Sequence, residues 1–192
     1  QGQEIGMTNI NLPDPDDYQD VQTINNTRTL RMMGMSKKKA AQRISRTARG
    51  NARTPFQWDA GPRAGFTTGK PWMPVNPNYK TINAKAEILE PNSIFNHYKR
   101  LIAFRKKYPV VIHGDYREHY AESRELYVYE RSLDGKRLLV ICSFTEKNVG
   151  FWAPEGFDLS KGKLVLANYM ENNMHGNGFT TRPYETRVYY FE

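Results

Sequence analysis

The chain has 192 residues, 28 basic and 20 acidic, giving a formal net charge of +8, and it carries a single cysteine. That length can bury a core in one large domain or in parts of two. The composition excludes a disulfide framework and a low-complexity chain, and no apolar run is long enough to span a membrane. With one thiol and no segment that reads as a secretory signal, a reducing, cytoplasmic compartment is the expectation.

The first predicted element is a loop. "NLPDPDDYQD" at 11–20 combines prolines and aspartates in the manner of turn-rich surface chain. The charge then changes sign. From Val21 to Trp58 there is no Asp or Glu, but there are nine cations: Arg28, Arg31, Lys37, Lys38, Lys39, Arg43, Arg46, Arg49 and Arg53. Without those nine, 19 basic residues stand against 20 acidic ones, so this block carries the whole excess. Such a block permits nucleic-acid or anion binding. A nucleic-acid site is disfavoured, because no aromatic side chains interleave the cations before Phe56. Within the block, "KKKAAQRISRTAR" at 37–49 has helix-forming content, with Ser36 placed to cap it.

"ARGNARTPFQWDAGPRAGFTTGKPW" at 48–72 is rich in glycine and proline, with two tryptophans, three arginines and almost no aliphatic side chain. It fits neither a core helix nor a core strand. A second Pro/Asn-rich piece, "PVNPNYKTIN", continues it to about residue 83. The clearest helix follows at 93–108, with Asn92 or Ser93 as its cap. Ile94, Tyr98, Leu101 and Ile102 form one apolar stripe, with Phe95 beside it. Arg105, Lys106 and Lys107 suit the negative end of its dipole, and Pro109 stops it.

Beyond residue 112 the period changes to two. "ELYVYERS" and "KRLLVICSF" flank an Asp-Gly turn, a strong hairpin signal. "NVGFWAP", "GKLVLAN" and "ETRVYYFE" are further strands, so 113–192 reads as a small antiparallel sheet domain, a sandwich or a meander. Cys142, inside an apolar run, is expected to be a buried small hydrophobe. His97, His113, His119 and His175 have no metal-ligand spacing, so no metal and no cofactor is expected.

Several of these stretches together carry a resemblance. "QGQEIGM", "ARGNARTPFQWD", "AGFTTGKPW", "VNPNYK", "SIFNHYKRLIAFRKKYPVV" and "RPYETRVYY" occur in this order over essentially the whole chain. The sequence resembles the C-terminal part of the oligo-1,6-glucosidase group of the α-amylase superfamily (glycoside hydrolase family 13). That resemblance implies a (β/α)8 barrel followed by an all-β C-terminal domain. Residues 1 to about 90 would run between the last barrel strand and the last barrel helix, and 93–108 would be that helix. Residues 1–112 would then be the end of the barrel and 113–192 the all-β domain, an α+β piece overall. A complete barrel takes roughly 250 residues, more than the whole chain. The family's catalytic carboxylates lie upstream of the matched stretch, and "NHY" at 96–98 is not its Asn-His-Asp site. The chain is therefore expected to be a C-terminal piece of an α-glucosidase that is inactive alone and associates with its missing catalytic barrel or with itself.

The resemblance also implies roles for single residues. Arg49 matches the family arginine that pairs with an upstream aspartate and holds a distal hydroxyl of the non-reducing glucose. Gly50 stands where the family has Asp. Arg53 is expected to brace the loop through carbonyl groups, with sugar contact as the weaker alternative. Trp58 and Trp72 read as loop-packing aromatics. Phe56 replaces a common Met, and Gln3 a common Glu, while Glu4 is retained. Short α-glucosides are the implied substrates. Trehalose-6-phosphate hydrolase is a second reading, because a phosphate would suit the basic block. A stand-alone carbohydrate- or nucleic-acid-binding β module is a third, and it would require an exposed aromatic platform or a basic groove.

Overall fold

The computed structural model describes residues 1–12, 14–169 and 173–192. The chain forms two compact units, Gln1–Ile102 and Ala103–Glu192.

The first unit is helical with long irregular connections. A 3-10 turn at Gln3–Ile5 opens it, and a second at Pro15–Asp17 precedes helix α1, Val21–Met32. Nothing in the apolar pattern predicts α1. It buries Thr23 and Thr27 and leaves Val21, Ile24 and Met32 exposed, so no hydrophobic stripe marks it. Its start is a capping event, with the Asp20 carboxylate accepting from the Thr23 amide at 2.9 Å. Helix α2, Lys37–Ser45, is capped by Ser36 as expected. It ends four residues before the predicted limit, because the amides of Thr47 and Ala48 both turn back to the Ile44 carbonyl.

Ile10, Leu12, Tyr18, Ile44 and Ala48 make the core of this unit, with Leu30 packed on it. The acidic loop thus contributes a core anchor. Tyr18 is fully buried, and its hydroxyl donates to the Ile10 carbonyl at 3.0 Å. Further 3-10 turns at Arg49–Arg53, Pro62–Gly65 and Pro77–Lys80 lead to α3, Ala84–Leu89, and α4, Ile94–Lys107. Ser93 Oγ accepts from the Asn96 amide at 3.1 Å, so the expected cap forms. None of the 14 residues of α4 is buried, although its stripe is apolar, and Ile94 and Ile102 are 46% and 55% exposed.

In the second unit, α5 (Val110–His113) precedes eight strands among the described residues. These are β1 (Asp115–His119), β2 (Leu126–Leu133), β3 (Lys136–Ser143), β4 (Val149–Trp152), β5 (Lys163–Ala167), β6 (Met174–His175), β7 (Gly178–Thr181) and β8 (Thr186–Phe191). They form an antiparallel five-stranded sheet, β1-β2-β3-β8-β5, and a three-stranded one, β4-β7-β6. The expected hairpin is present. Leu133 pairs with Lys136 across Asp134 and Gly135, whose φ values of 48° and 80° are those a two-residue turn of this hand requires.

Leu126, Val128, Leu139, Ile141 and Tyr189 of the larger sheet pack with Phe151 and Phe179 of the smaller, as in a sandwich. The opposite face of the larger sheet carries a second cluster of Val110, Leu138, Val140, Val188 and Tyr190, with Phe104 and Tyr108 against it. Cys142 lies on that face and is only partly buried, because it pairs with the half-exposed Tyr127. Burial still pushes its thiol pKa up, against a hydrogen bond with Thr186. Strand β1 escapes the periodicity because it is an exposed, charged edge strand.

Candidate functional site

Two stretches far apart in sequence share one cleft of about 430 Å³. Its walls are Gln1, Gln3 and Thr8–Asn9 on one side and Arg46–Arg49 with Asn51 on the other. The first wall is shaped by glycine. Gly2 and Gly6 flank the 3-10 turn at φ 88° and 69°, which L side chains rarely adopt. A Cβ on Gly2 would come within 2.4 Å of Met7 Sδ, and one on Gly6 within 2.5 Å of Ile94 Cδ1. Both glycines of "QGQEIGM" are therefore needed for their backbone conformation, and Gly2 also for space beside Met7 Cβ at 2.8 Å.

Side-chain amides tie the walls together. Gln1 Nε2 donates to the Thr54 carbonyl at 2.8 Å, and Asn9 Nδ2 to the Arg46 carbonyl at 3.3 Å. Asn76 and Asn78, from "VNPNYK", donate to the Thr8 carbonyl and hydroxyl at 3.0 and 2.9 Å. Asn51 Nδ2 holds the end of α2 through the Ser45 carbonyl at 2.8 Å. Asn76 and Asn78 join the site unforeseen by composition, which marked their segment only as a loop.

Arg49 opens the 3-10 turn at Arg49–Arg53, is exposed, and lines the cleft together with Arg46. Arg53 is also exposed but is not among the lining residues. It makes no carbonyl bond among the described residues, so bracing by that route is absent. Its charge instead acts on Asp20. Burial works against ionisation of Asp20, but the Thr23 hydroxyl and amide, the Gly50 amide and the Arg53 charge hold its pKa below the ordinary carboxylate value. Gly50 is buried. A Cβ there would meet Met73 Cε at 3.2 Å and Tyr18 Cδ1 at 3.5 Å.

The rest of the loop is built around two polar side chains. Asp59 Oδ1 accepts from the Gly61 amide at 2.7 Å, and Cβ atoms on Gly61 or Gly65 would collide with this carboxylate. Arg63 and Ala64 adopt φ 52° and 56°, unusual for non-glycine residues, while the Ala64 carbonyl accepts from the amides of Trp58 and Asp59. Gln57 is fully buried, and its Nε2 donates to Asn78 Oδ1 at 3.1 Å and to the Ile82 carbonyl. Trp58 and Trp72 stay half-exposed, with Trp58 packed on Phe56 at 4.5 Å between ring centroids.

Chemically the cleft presents two guanidinium groups, amides and two threonine hydroxyls, and no carboxylate lines it among the described residues. Such a set can hold sugar hydroxyls or an anion. Retaining glycoside hydrolysis needs a nucleophile and an acid/base pair of carboxyl groups as well. No group of three or more His, Cys, Asp or Glu side chains among the described residues could hold a metal ion, and no helix among them is long and apolar enough to cross a membrane.

Residues 1–114 match the family described as alpha amylase, catalytic domain. The chain is 43% identical over 190 residues to an oligo-1,6-glucosidase of Halalkalibacterium halodurans, covering 98% of this chain and 34% of that protein. It is 38% identical over 191 residues to a trehalose-6-phosphate hydrolase of Bacillus subtilis, again covering 98% and 34%. The crystal structure of the trehalose-6-phosphate hydrolase of Bacillus licheniformis superposes with a TM-score of 0.93 at 38% identity, covering 99% of this chain and 35% of that one. The chain spans about a third of the length of these relatives. The chain therefore belongs to the alpha-amylase family, with relatives among its oligo-1,6-glucosidases and trehalose-6-phosphate hydrolases.

Proposed function

We propose that this chain is the C-terminal portion of an α-glucosidase that hydrolyses terminal α-glucosidic bonds of short oligosaccharides, with retention at the anomeric carbon. It supplies a wall of the glucose pocket and an all-β domain, and the catalytic carboxylates belong to the preceding barrel. Residues 1–112 are the end of that barrel and 113–192 the C-terminal domain. The compact-unit boundary falls earlier, inside α4, because Phe104 and Tyr108 pack within the second unit's cluster.

The observation that carries this reading is the cleft that Arg49 lines together with Gln1 and Gln3. Loops that leave the C-terminal ends of barrel strands build such pockets. The incompletely covered apolar stripe of α4, with no residue buried and Ile94 and Ile102 exposed, supports the reading too. Its natural partner is the rest of the barrel, and without it self-association is expected. The single thiol agrees with a reducing cytoplasmic location.

Hydrolysis of a chromogenic α-glucoside tests the assignment. The product of the longer gene should turn over substrate, and the pure 192-residue chain should not. Turnover by the chain alone would overturn it.

A specific feature favours a phosphorylated substrate as the second reading. Arg46 sits beside Arg49 in a cleft without a lining carboxylate, and neither forms an ion pair among the described residues. Comparing trehalose 6-phosphate with isomaltose as substrates of the intact protein separates the two.

A further inference from the structure

In the smaller sheet of the second unit, Trp152 closes strand β4 with 63% of its surface exposed. A single exposed aromatic side chain is unremarkable in itself. This one is held from two sides. The Tyr120 hydroxyl donates to the Trp152 carbonyl at 2.7 Å and accepts from the Trp152 amide at 3.0 Å, while Tyr120 itself sits at φ 57°. The six-membered ring of the indole lies over the turn between β6 and β7. Its Cδ2 and Cε3 are 3.0 Å from where a Cβ on Gly178 would be, and its Cζ3 is 3.8 Å from one on Gly176.

That bed is fixed as well. Asn177, at the tip of the turn, accepts from the Leu159 amide at 2.8 Å and donates to the Phe157 carbonyl at 2.7 Å. Its own carbonyl accepts from the Ala153 amide at 2.9 Å.

The register explains why the surface around the ring is flat. Phe151 and Phe179 face the core, so their neighbours Gly150 and Trp152 on β4, and Gly178 and Thr180 on β7, face outward. Two of these four have no side chain, and a Cβ on Gly150 would meet nothing within 4 Å. At the rim stand Thr180 and His175, both exposed, and neither side chain makes a hydrogen bond among the described residues.

We propose that this shelf is a carbohydrate-binding subsite, separate from the Arg49 cleft, that takes an α-glucan. Sugar rings present a face of C–H groups that suits the negative face of an indole. Equatorial hydroxyls reach outward from such a ring to hydroxyl and imidazole groups at the rim of the kind Thr180 and His175 supply. A platform ordered before binding saves the entropy of immobilising it. The choice of an α-glucan over other sugars rests on the function proposed above, whereas the shelf itself does not.

The test is titration of the full chain with maltoheptaose, following the three tryptophan indole N–H resonances. The Trp152 signal should move, and Trp152→Ala should lower the affinity at least tenfold. Trp152→Phe should recover part of the loss, and Gly150→Val, which fills the open shelf, should weaken binding with the fold intact. Movement of Trp58 and Trp72 alone would overturn the subsite while leaving the pocket assignment standing. A silent Trp152 at millimolar maltoheptaose would overturn it too. Equal affinity for cellopentaose would overturn the α-glucan assignment.

Discussion

Glu185 and Arg187 form an ion pair of 2.8 Å in which each side chain is only 1% exposed. Arg187 is among the largest fully buried side chains of the described residues. Its guanidinium lies 3.8 Å from the centre of the Phe179 ring and also donates to Asn173 Oδ1. Glu185 is shared with Arg182, whose amide donates to it at 2.8 Å and whose guanidinium stacks on Tyr169. The motif "RPYETRVYY" thus places a buried polar network at the start of β8.

Replacing Glu185 withdraws the buried carboxylate charge that Arg182 and Arg187 share, so a favourable charge pairing inside the core is lost. Glu185→Gln is expected to destabilise the second unit by about 3–5 kcal/mol. Urea denaturation followed by near-ultraviolet circular dichroism measures this. A loss below about 1 kcal/mol would show that the pair is replaceable by its neighbours.

The same network sets a pH dependence. Burial opposes ionisation of Glu185, but hydrogen bonds from the Arg182 side chain and amide, then the hydrogen bond and charge of Arg187, hold its pKa below the ordinary 4.5. Glu130 behaves alike. Burial raises its pKa, and the hydrogen bonds from His119 and Arg137 more than reverse that. A carboxyl whose folded pKa is depressed contributes its full stabilisation above its unfolded value. The contribution is lost as pH falls through the folded value. Stability should therefore fall on acidification below about pH 4.5, and Glu185→Gln should make that fall shallower. An unchanged acid limb in the variant would refute this assignment.

What could be read from the sequence depended on how each element is stabilised. The hairpin around Asp134-Gly135 and helix α4 were legible because periodicity and turn chemistry act locally. Helix α1 was not, since it rests on the Asp20 cap and two buried threonines, with no apolar face. Strand β1 takes its order from pairing with β2 while four of its five residues stay exposed. At the site, resemblance brought out Arg49, whereas the ties from Asn76 and Asn78 to Thr8 depend on contacts more than 60 residues apart. No spacing rule reaches that far. Trp152 was visible only as one more strand aromatic until the glycines beneath it were placed.

Glycine substitutions separate the two reasons a glycine is retained. Gly6→Ala combines a left-handed backbone with a Cβ within 2.5 Å of Ile94 Cδ1, and should cost at least about 1–2 kcal/mol. Gly150→Ala has neither problem, since β4 is extended there and the added atom meets nothing within 4 Å. Its effect should stay within about 0.5 kcal/mol. Melting temperatures of the two variants measured side by side decide the matter, and equal losses would contradict the geometry of the opening turn.

Arg49 and Arg53 lie on one 3-10 turn yet should fail in different ways. Arg49 lines the cleft, and under the function proposed above Arg49→Ala in the longer protein should lower kcat/KM about 100-fold or more, because a site proposed to bind a hydroxyl is left with unpaired groups. The Arg53 charge helps lower the pKa of the Asp20 carboxylate that caps α1. Arg53→Ala should leave kcat/KM within a few-fold and raise the Asp20 pKa. Gly50, between them, is packed against Met73 and Tyr18. Alanine there requires only that a flexible thioether methyl give way and should be tolerated to within about 1 kcal/mol. Aspartate adds a buried carboxylate beside Asp20 and should cost about 1–3 kcal/mol. Steady-state kinetics and the nuclear magnetic resonance titration of Asp20 distinguish these outcomes. Equal kinetic losses at Arg49 and Arg53 would mean that the turn acts only as scaffold.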